Sequence, residues 1–425
     1  MRAMPPAPRP SSVSALAALT LTAALTAACG GGGSDAPTPA PPAPSPSPTP
    51  SPTPSPPAPT PAPPAPAPIP APPPPNTPAP PAPSPSPSAG PTLGSCPSFP
   101  ATAVFNTRID DTARFPAHAR NAEWIAAIGA TVAFHADWGV NDNPAANDYY
   151  GIPYNLLSAG NAETDWPSIS FTGDGAPDES DCAVARSGGG WDIVRDCTSR
   201  SPAALRFPFP RDNVIKLEAG TCNDPDACGD RHVLTVEQGA CRLWESFYTY
   251  KIGGQWTAYS TAAWDLNSNA MRPDSWTSGD AAGLPIAPLL ARASEASAGE
   301  IKHALRVTFR DAVLAAQYVW PARHRAGNSA GTIPFGALLR LKSSFVIPAN
   351  WNTQAKALAT AMQRYGLYVS DIGSNLYVQG DPNSQWSPAT ITQIQTLRVG
   401  DFEFVDNGAI TRDSRFNANS FQGSW

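Results

Sequence analysis

Residues 232–266 read HVLTVEQGACRLWESFYTYKIGGQWTAYSTAAWDL. Within them, 232–237, 241–250 and 256–266 alternate apolar and polar side chains, the period of a half-buried strand. Gln238-Gly239 and Gly253-Gly254 supply the turns between them. The stretch predicts successive antiparallel strands with one face on a core. Residues 300–310 (EIKHALRVTFR), 315–320 (AAQYVW) and 335–347 (FGALLRLKSSFVI) continue the series, and Thr131-Val132-Ala133-Phe134 reads as a further strand. Helices are expected at 119–129, ended by Gly129, and at 352–364, with Asn352 as N-cap. Another is expected near 388–397, with Ser387 as N-cap and Pro388 in the first helical position. The expected fold is mainly β: an antiparallel β-sandwich or jelly-roll-like domain with a few peripheral helices, spanning 95–425.

Outward from this domain the chemistry changes. Residues 36–92 are almost entirely Pro, Ala, Ser and Thr, with no side chains large enough to build a core. Proline favours extended polyproline II, so the segment reads as a semi-rigid stalk that reaches on the order of 150 Å at ~3.1 Å per residue. Upstream, Arg2 and Arg9 precede an uncharged apolar run, 13–28, that ends in small residues. That pattern is an export signal, shorter than the ~20 apolar residues of a membrane span. Thr26-Ala27-Ala28-Cys29 resembles the lipobox of bacterial lipoproteins. The resemblance implies a signal peptide at 1–28, a lipidated Cys29 and a Gly-rich then Pro-rich stalk over 29–94. Localisation is then the cell envelope, outside the cytoplasm, with membrane contact only through the lipid.

The net charge of −6 argues against nucleic acid as a partner. Of seven cysteines, Cys29 is taken by the anchor. The other six follow an export signal and read as disulfides. Short loops favour Cys182–Cys197 and Cys222–Cys228, which leaves Cys96 with Cys241. A metal site is not expected: no C-x-x-C occurs, and His232 is the only histidine near the cysteines. No P-loop, dinucleotide fingerprint, nucleophile elbow or His-Glu-x-x-His motif occurs either. No cofactor is implied.

Four further runs carry a resemblance. They are Gly229-Asp230-Arg231-His232, Trp276 to Pro285 (WTSGDAAGLP), Gly299 to Arg306 (GEIKHALR) and Tyr318 to His324 (YVWPARH). Together they resemble a family of secreted proteins of environmental bacteria, often found with polysaccharide-associated modules. The likeness spans roughly residues 100–406. It implies an extracellular, carbohydrate-directed protein.

Alternation places the candidate chemistry. Leu243, Glu245 and Phe247 share one strand face, so Glu245 is a desolvated carboxylate suited to general-acid work. His303 falls with Ile301, Leu305, Val307 and Phe309, opposite Lys302, Arg306 and Arg310. Pairing Tyr250 with Trp256 puts Glu245 opposite Thr261 and Asp265 roughly 13 Å further along. That is too far for a glycosidase carboxylate pair, whose limit is ~9.5 Å. Asp265 reads instead as a turn cap, and Asp280 as an Asx-turn. The second carboxylate is expected from the His135-Ala136-Asp137-Trp138-Gly139 loop, so the catalytic candidates are Glu245, His303, Asp137 and His135. Trp138, Trp276 and Trp320 offer platforms for sugar rings, with Arg306, Arg323 and His324 as polar partners. Trp166 and Trp386 lie in loops too.

These readings favour a monomeric cell-surface glycoside hydrolase acting on a polysaccharide. A non-catalytic polysaccharide-binding or wall-binding module is the alternative, as is a structural surface protein. So is a lyase, in which His303 or Tyr365 abstracts a proton and Arg306 or Arg323 neutralises a uronate.

Overall fold

The period-two stretch divides between two sheets. Tyr248 has φ 51°, which breaks the strand run after Phe247. Val233–Glu237, Arg242–Phe247 and Ser260–Asp265 form an antiparallel ladder, and Tyr154–Leu157 adds a fourth, parallel strand at one edge. Tyr250–Ile252 leaves that ladder for a hairpin with Gln255–Ala258, and Ile169–Phe171 joins it in parallel. Gly253 and Gly254 close the hairpin at φ 57° and 85°, the left-handed pair a tight two-residue turn requires.

This is a computed structural model, and it describes residues 90–328 and 330–425. The signal peptide, Cys29 and the stalk to residue 89 lie outside the described residues. Leu93, counted with the stalk in the sequence reading, is buried and pairs with Cys96. The domain is mainly strands with few helices. No helix among the described residues is long and apolar enough to cross a membrane.

A second, six-stranded sheet runs Phe402–Val405, Leu338–Leu341, Leu367–Ile372, Leu305–Phe309, Tyr377–Gln379, His135–Asp137. It is mixed rather than antiparallel. Leu305–Phe309 lies parallel to Leu367–Ile372, and His135–Asp137 parallel to Tyr377–Gln379. The run 300–310 therefore starts its strand only at Leu305, and the strand expected at 131–134 forms at His135–Asp137 instead.

One face of this sheet is core: Val369, Val307, Val378 and Ala136 lie side by side across four strands, all buried. Their neighbours along each strand point the other way. That second row runs Asp371, Thr308, Tyr377, His135. Arg306, Gln379 and Asp137 project from the same face.

The helices form Asn121–Ile128, Ala293–Ala298, Thr353–Arg364, Pro388–Ile394 and Gly408–Thr411. Asn352 caps the longest as expected, its side chain accepting from the Ala355 N–H at 2.9 Å. Ala355, Leu358, Ala359 and Met362 are buried on its inner stripe. Three disulfides join Cys96–Cys241, Cys182–Cys197 and Cys222–Cys228. Such bridges fit a protein matured outside the reducing cytoplasm.

Candidate active site

Arg306 stands at the centre of the polar face with no accessible side-chain surface. Its Nη2 donates to Asp280 at 2.9 Å and to Asp371 at 3.5 Å. Nε and Nη1 find no partner. Asp280 comes from the loop after Trp276. Its Oδ1 accepts the Ala282 N–H at 2.8 Å, the Asx-turn expected from sequence, while Oδ2 faces Arg306. That loop packs closely at Gly279. A Cβ there would meet Ile286 at 3.3 Å and Glu245 at 3.5 Å.

Across from the sheet lie Glu218, Asp230 and His232. His232 Nδ1 sits 2.6 Å from Glu218 Oε2, and Nε2 sits 2.7 Å from the Gly279 carbonyl. Both ring nitrogens face acceptors, so both must donate, and the ring is an imidazolium. Burial alone would lower its pKa, but the Glu218 carboxylate outweighs burial and lifts it to about 9. Glu218 shows the converse: burial pushes it up, and His232 holds it below the ordinary carboxylate range.

The other acids move upward. Asp230 is raised although the residue reaches solvent: partial desolvation of its carboxyl comes first, Glu218 and Asp371 add repulsion, and His232 pulls the other way. Burial likewise raises Asp371 and Asp280, while Arg306 draws both down. Asp137 is raised by burial although the Tyr150 hydroxyl donates to it. Its electrostatic neighbours include Glu218 and Arg306, so it belongs to the same cluster. His135 stacks on Tyr377 with ring centres 3.9 Å apart, its Nε2 3.8 Å from Asp137.

Water reaches part of this cluster. The side chains of Asp137, Glu218 and Asp371 keep 15%, 23% and 24% of their surface, whereas Asp280 and Arg306 keep none. Asp230 is exposed at the rim, and so is Tyr150. The geometry is a cluster of carboxylates around a buried arginine, its outer members reached by water. It can hold a proton on one carboxylate beside another that is ionised. Among the described residues, no three of His, Cys, Asp and Glu are placed to hold a metal ion.

The structure brings Asp137, His135 and Arg306 into this cluster and buries Glu245 and His303. Glu245 is fully buried. Its carboxylate accepts the Ile286 and Ala287 N–H groups at 2.8–2.9 Å, anchoring the start of the short 3-10 turn Ala287–Leu289. Burial lifts it to about 7 against those two amides. His303 is also fully buried, its nitrogens taken by Ala304 O at 2.7 Å and Glu295 at 2.9 Å. Both have the surroundings of structural partners. The one-residue difference in register matters too. Glu245 pairs with Ala262 and Arg242 with Asp265, so Asp265 lies on the opposite face from Glu245. Asp265 caps its turn, accepting the Asn267 N–H at 2.9 Å.

Trp138 packs in the core on Trp386 at 4.9 Å, and Trp166 on Trp191 at 4.7 Å. Trp276 is half-buried against Arg272. Trp320 is half-buried, its indole donating to Ser420 O at 3.1 Å. Arg323 is buried, tied to Arg272 O, Ala418 O and Asn419. His324 is half-buried, 2.9 Å from Ala281 O.

Sequence reasoning missed Glu218, Asp371, Tyr150 and Tyr377, and passed over Asp230 and His232 within the quoted Gly229-Asp230-Arg231-His232 run. An acid near the end of the apolar run Leu367–Ile372 was the available signal for Asp371. Comparison with protein-family models finds no match, and comparisons with curated proteins and with solved structures find none either.

Proposed function

We propose that this domain hydrolyses glycosidic bonds in an extracellular polysaccharide by general acid–base catalysis at the acidic cluster. The observation that carries the reading is a solvent-reached group of carboxylates in two bonding states, Glu218 2.6 Å from His232 and Asp230 at the rim with no ion-pair partner among the described residues. Glu218 is held ionised by His232 while Asp230, beside it, is raised to about 6. Pairs pushed apart in this way divide into base and acid. Asp230 gives its proton to the leaving glycosidic oxygen as the C–O bond breaks. Glu218 takes a proton from the water that attacks the anomeric carbon. Asp371, Asp280 and Arg306 set the field around both. Tyr150 and the stacked His135–Tyr377 pair supply aromatic faces of the kind sugar rings use. A lipid on Cys29 and the Pro-rich stalk belong to the same proposal, holding the cluster away from the membrane surface.

The test is release of reducing ends from a panel of bacterial and plant polysaccharides by the full chain. Asp230→Asn and Glu218→Gln should each lower the rate by about 10²-fold or more. Asp230→Asn should melt close to the parent, whereas Glu218→Gln also strips the buried His232 of its partner and should melt lower while staying folded. Binding of a glycan without any cleavage would leave a binding module in place of a hydrolase. Activity that survives both changes would reject the assignment of roles.

A further inference from the structure

The polar row of the large sheet ends at His135, and beyond it lies a groove of about 550 Å³. Ile128, Val132 and Phe134 form an apolar side, and the stacked His135–Tyr377 pair also borders it. Arg310 and Asn375 add polar groups to the lining. Arg310 directly follows the strand Leu305–Phe309 that carries Arg306.

The two arginines differ in what they can offer a ligand. Arg306 is buried and shared between two aspartates. Arg310 is exposed, and its guanidinium has no hydrogen-bond or carboxylate partner among the described residues. Only its backbone is fixed, the N–H donating to Asn375 Oδ1 at 2.9 Å. An unpaired planar fork beside an aromatic face and an apolar wall matches a sugar ring that carries a planar anion. The acidic cluster next door would repel such a ring. The two regions together therefore orient a chain, with the charged sugar at the groove and the scissile bond at the acids.

We infer that this groove is a subsite for a uronate residue of the polysaccharide, with Arg310 binding its carboxylate. The inference rests on the glycan reading above and names its substrate class as acidic. It moves the anion-binding role from the buried Arg306 and Arg323 to a residue that alternation had only placed beside Arg306.

The experiment is calorimetric titration of the full-length Asp230→Asn chain, with and without Arg310→Gln. The probe is hyaluronate, in which a uronate alternates with a neutral sugar, beside its carboxyl-reduced form, with dextran sulfate as the sulfate arm. Arg310→Gln should weaken an acidic glycan about tenfold or more and leave its reduced form unchanged. Equal affinity for acidic and reduced forms, or indifference to Arg310, overturns the inference. Arg310 dependence confined to dextran sulfate also overturns it. Cleavage of a neutral glycan by the parent, insensitive to Arg310→Gln, would sink the subsite and leave the hydrolase reading standing. No binding or cleavage of any glycan would remove both.

Discussion

Several arginines are buried in this domain with carboxylates against them, and two of these, Arg272 and Arg306, are finished very differently. Arg272 spends every nitrogen. Nε donates to Asp181 at 2.8 Å, Nη2 to Glu179 O at 2.6 Å, and Nη1 to Thr277 O. Trp264 and Trp276 flank it at 5.7 and 5.6 Å. Asp181 is as fully occupied, taking Arg195 at 2.7 Å and the Ala263 N–H at 2.8 Å. Arg306 uses one nitrogen for two aspartates and leaves two without partners. A closed network of this kind fixes loops to a sheet. An open one keeps charge and protons available, and it underlies the acidic cluster.

The largest effect expected from this contrast is on Arg272. Arg272→Met removes Asp181's buried partner and leaves the Glu179 and Thr277 carbonyls unmet, with Arg195 still paired to Asp181, and should cost about 3 kcal/mol, read by denaturant unfolding. Arg306→Met should cost less at pH 5, because its carboxylate partners are raised and can carry protons in its absence. Equal losses at that pH would erase the distinction between the two sites.

Next in size is the pH dependence of stability. Carboxyls raised in the folded state, Asp230 to about 6 and Glu245 to about 7, bind protons more tightly folded than unfolded. Their contribution is complete below the ordinary carboxylate pKa and is lost as pH rises through 6 to 7. His232, lifted from 6.5 to about 9, has the same sign and is lost near 9. Glu295, lowered to about 2 by Arg292 and His303 despite its burial, works oppositely and is lost only in strong acid. The melting temperature should therefore be higher at pH 5 than at pH 8. A maximum above pH 7 would contradict the raised carboxyls.

A smaller effect is expected on the activity profile. Asp371 adds to the elevation of Asp230, so Asp371→Asn should move the alkaline limb of the rate profile to lower pH. A shift to higher pH would show that Asp371 does not act on Asp230 as proposed. The smallest is Tyr150→Phe, which removes the hydroxyl that donates to Asp137. It should change stability by under about 1 kcal/mol at this open edge.

What the sequence made legible was local. Turn glycines, the Asn352 cap and the short-loop cysteine pairs each depend on neighbours no more than 15 residues away. Leu367–Ile372 escaped because a strand with sheet partners on both sides buries residues in sequence and loses its alternation. The cluster escaped for a different reason. Glu218, Asp230, Asp280 and Asp371 are spread along the chain, and only the topology gathers them around Arg306. Glu245 was legible as a buried acid, but its partners, two backbone amides some forty residues on, were not. His303 was misplaced because the strand begins after it, at Leu305. Alternation could still place Arg306 opposite Val307, and that is the face the cluster uses.

The Cys96–Cys241 bridge has a mechanical consequence. It spans 145 residues and joins the chain's entry into the domain to the residue before the strand Arg242–Phe247. Tension arriving along the chain from the N-terminal side is passed through the sulfur–sulfur bond straight into the four-stranded sheet. The loop between the two cysteines, which carries Asp137, Glu218, Asp230 and His232, is bypassed by that load.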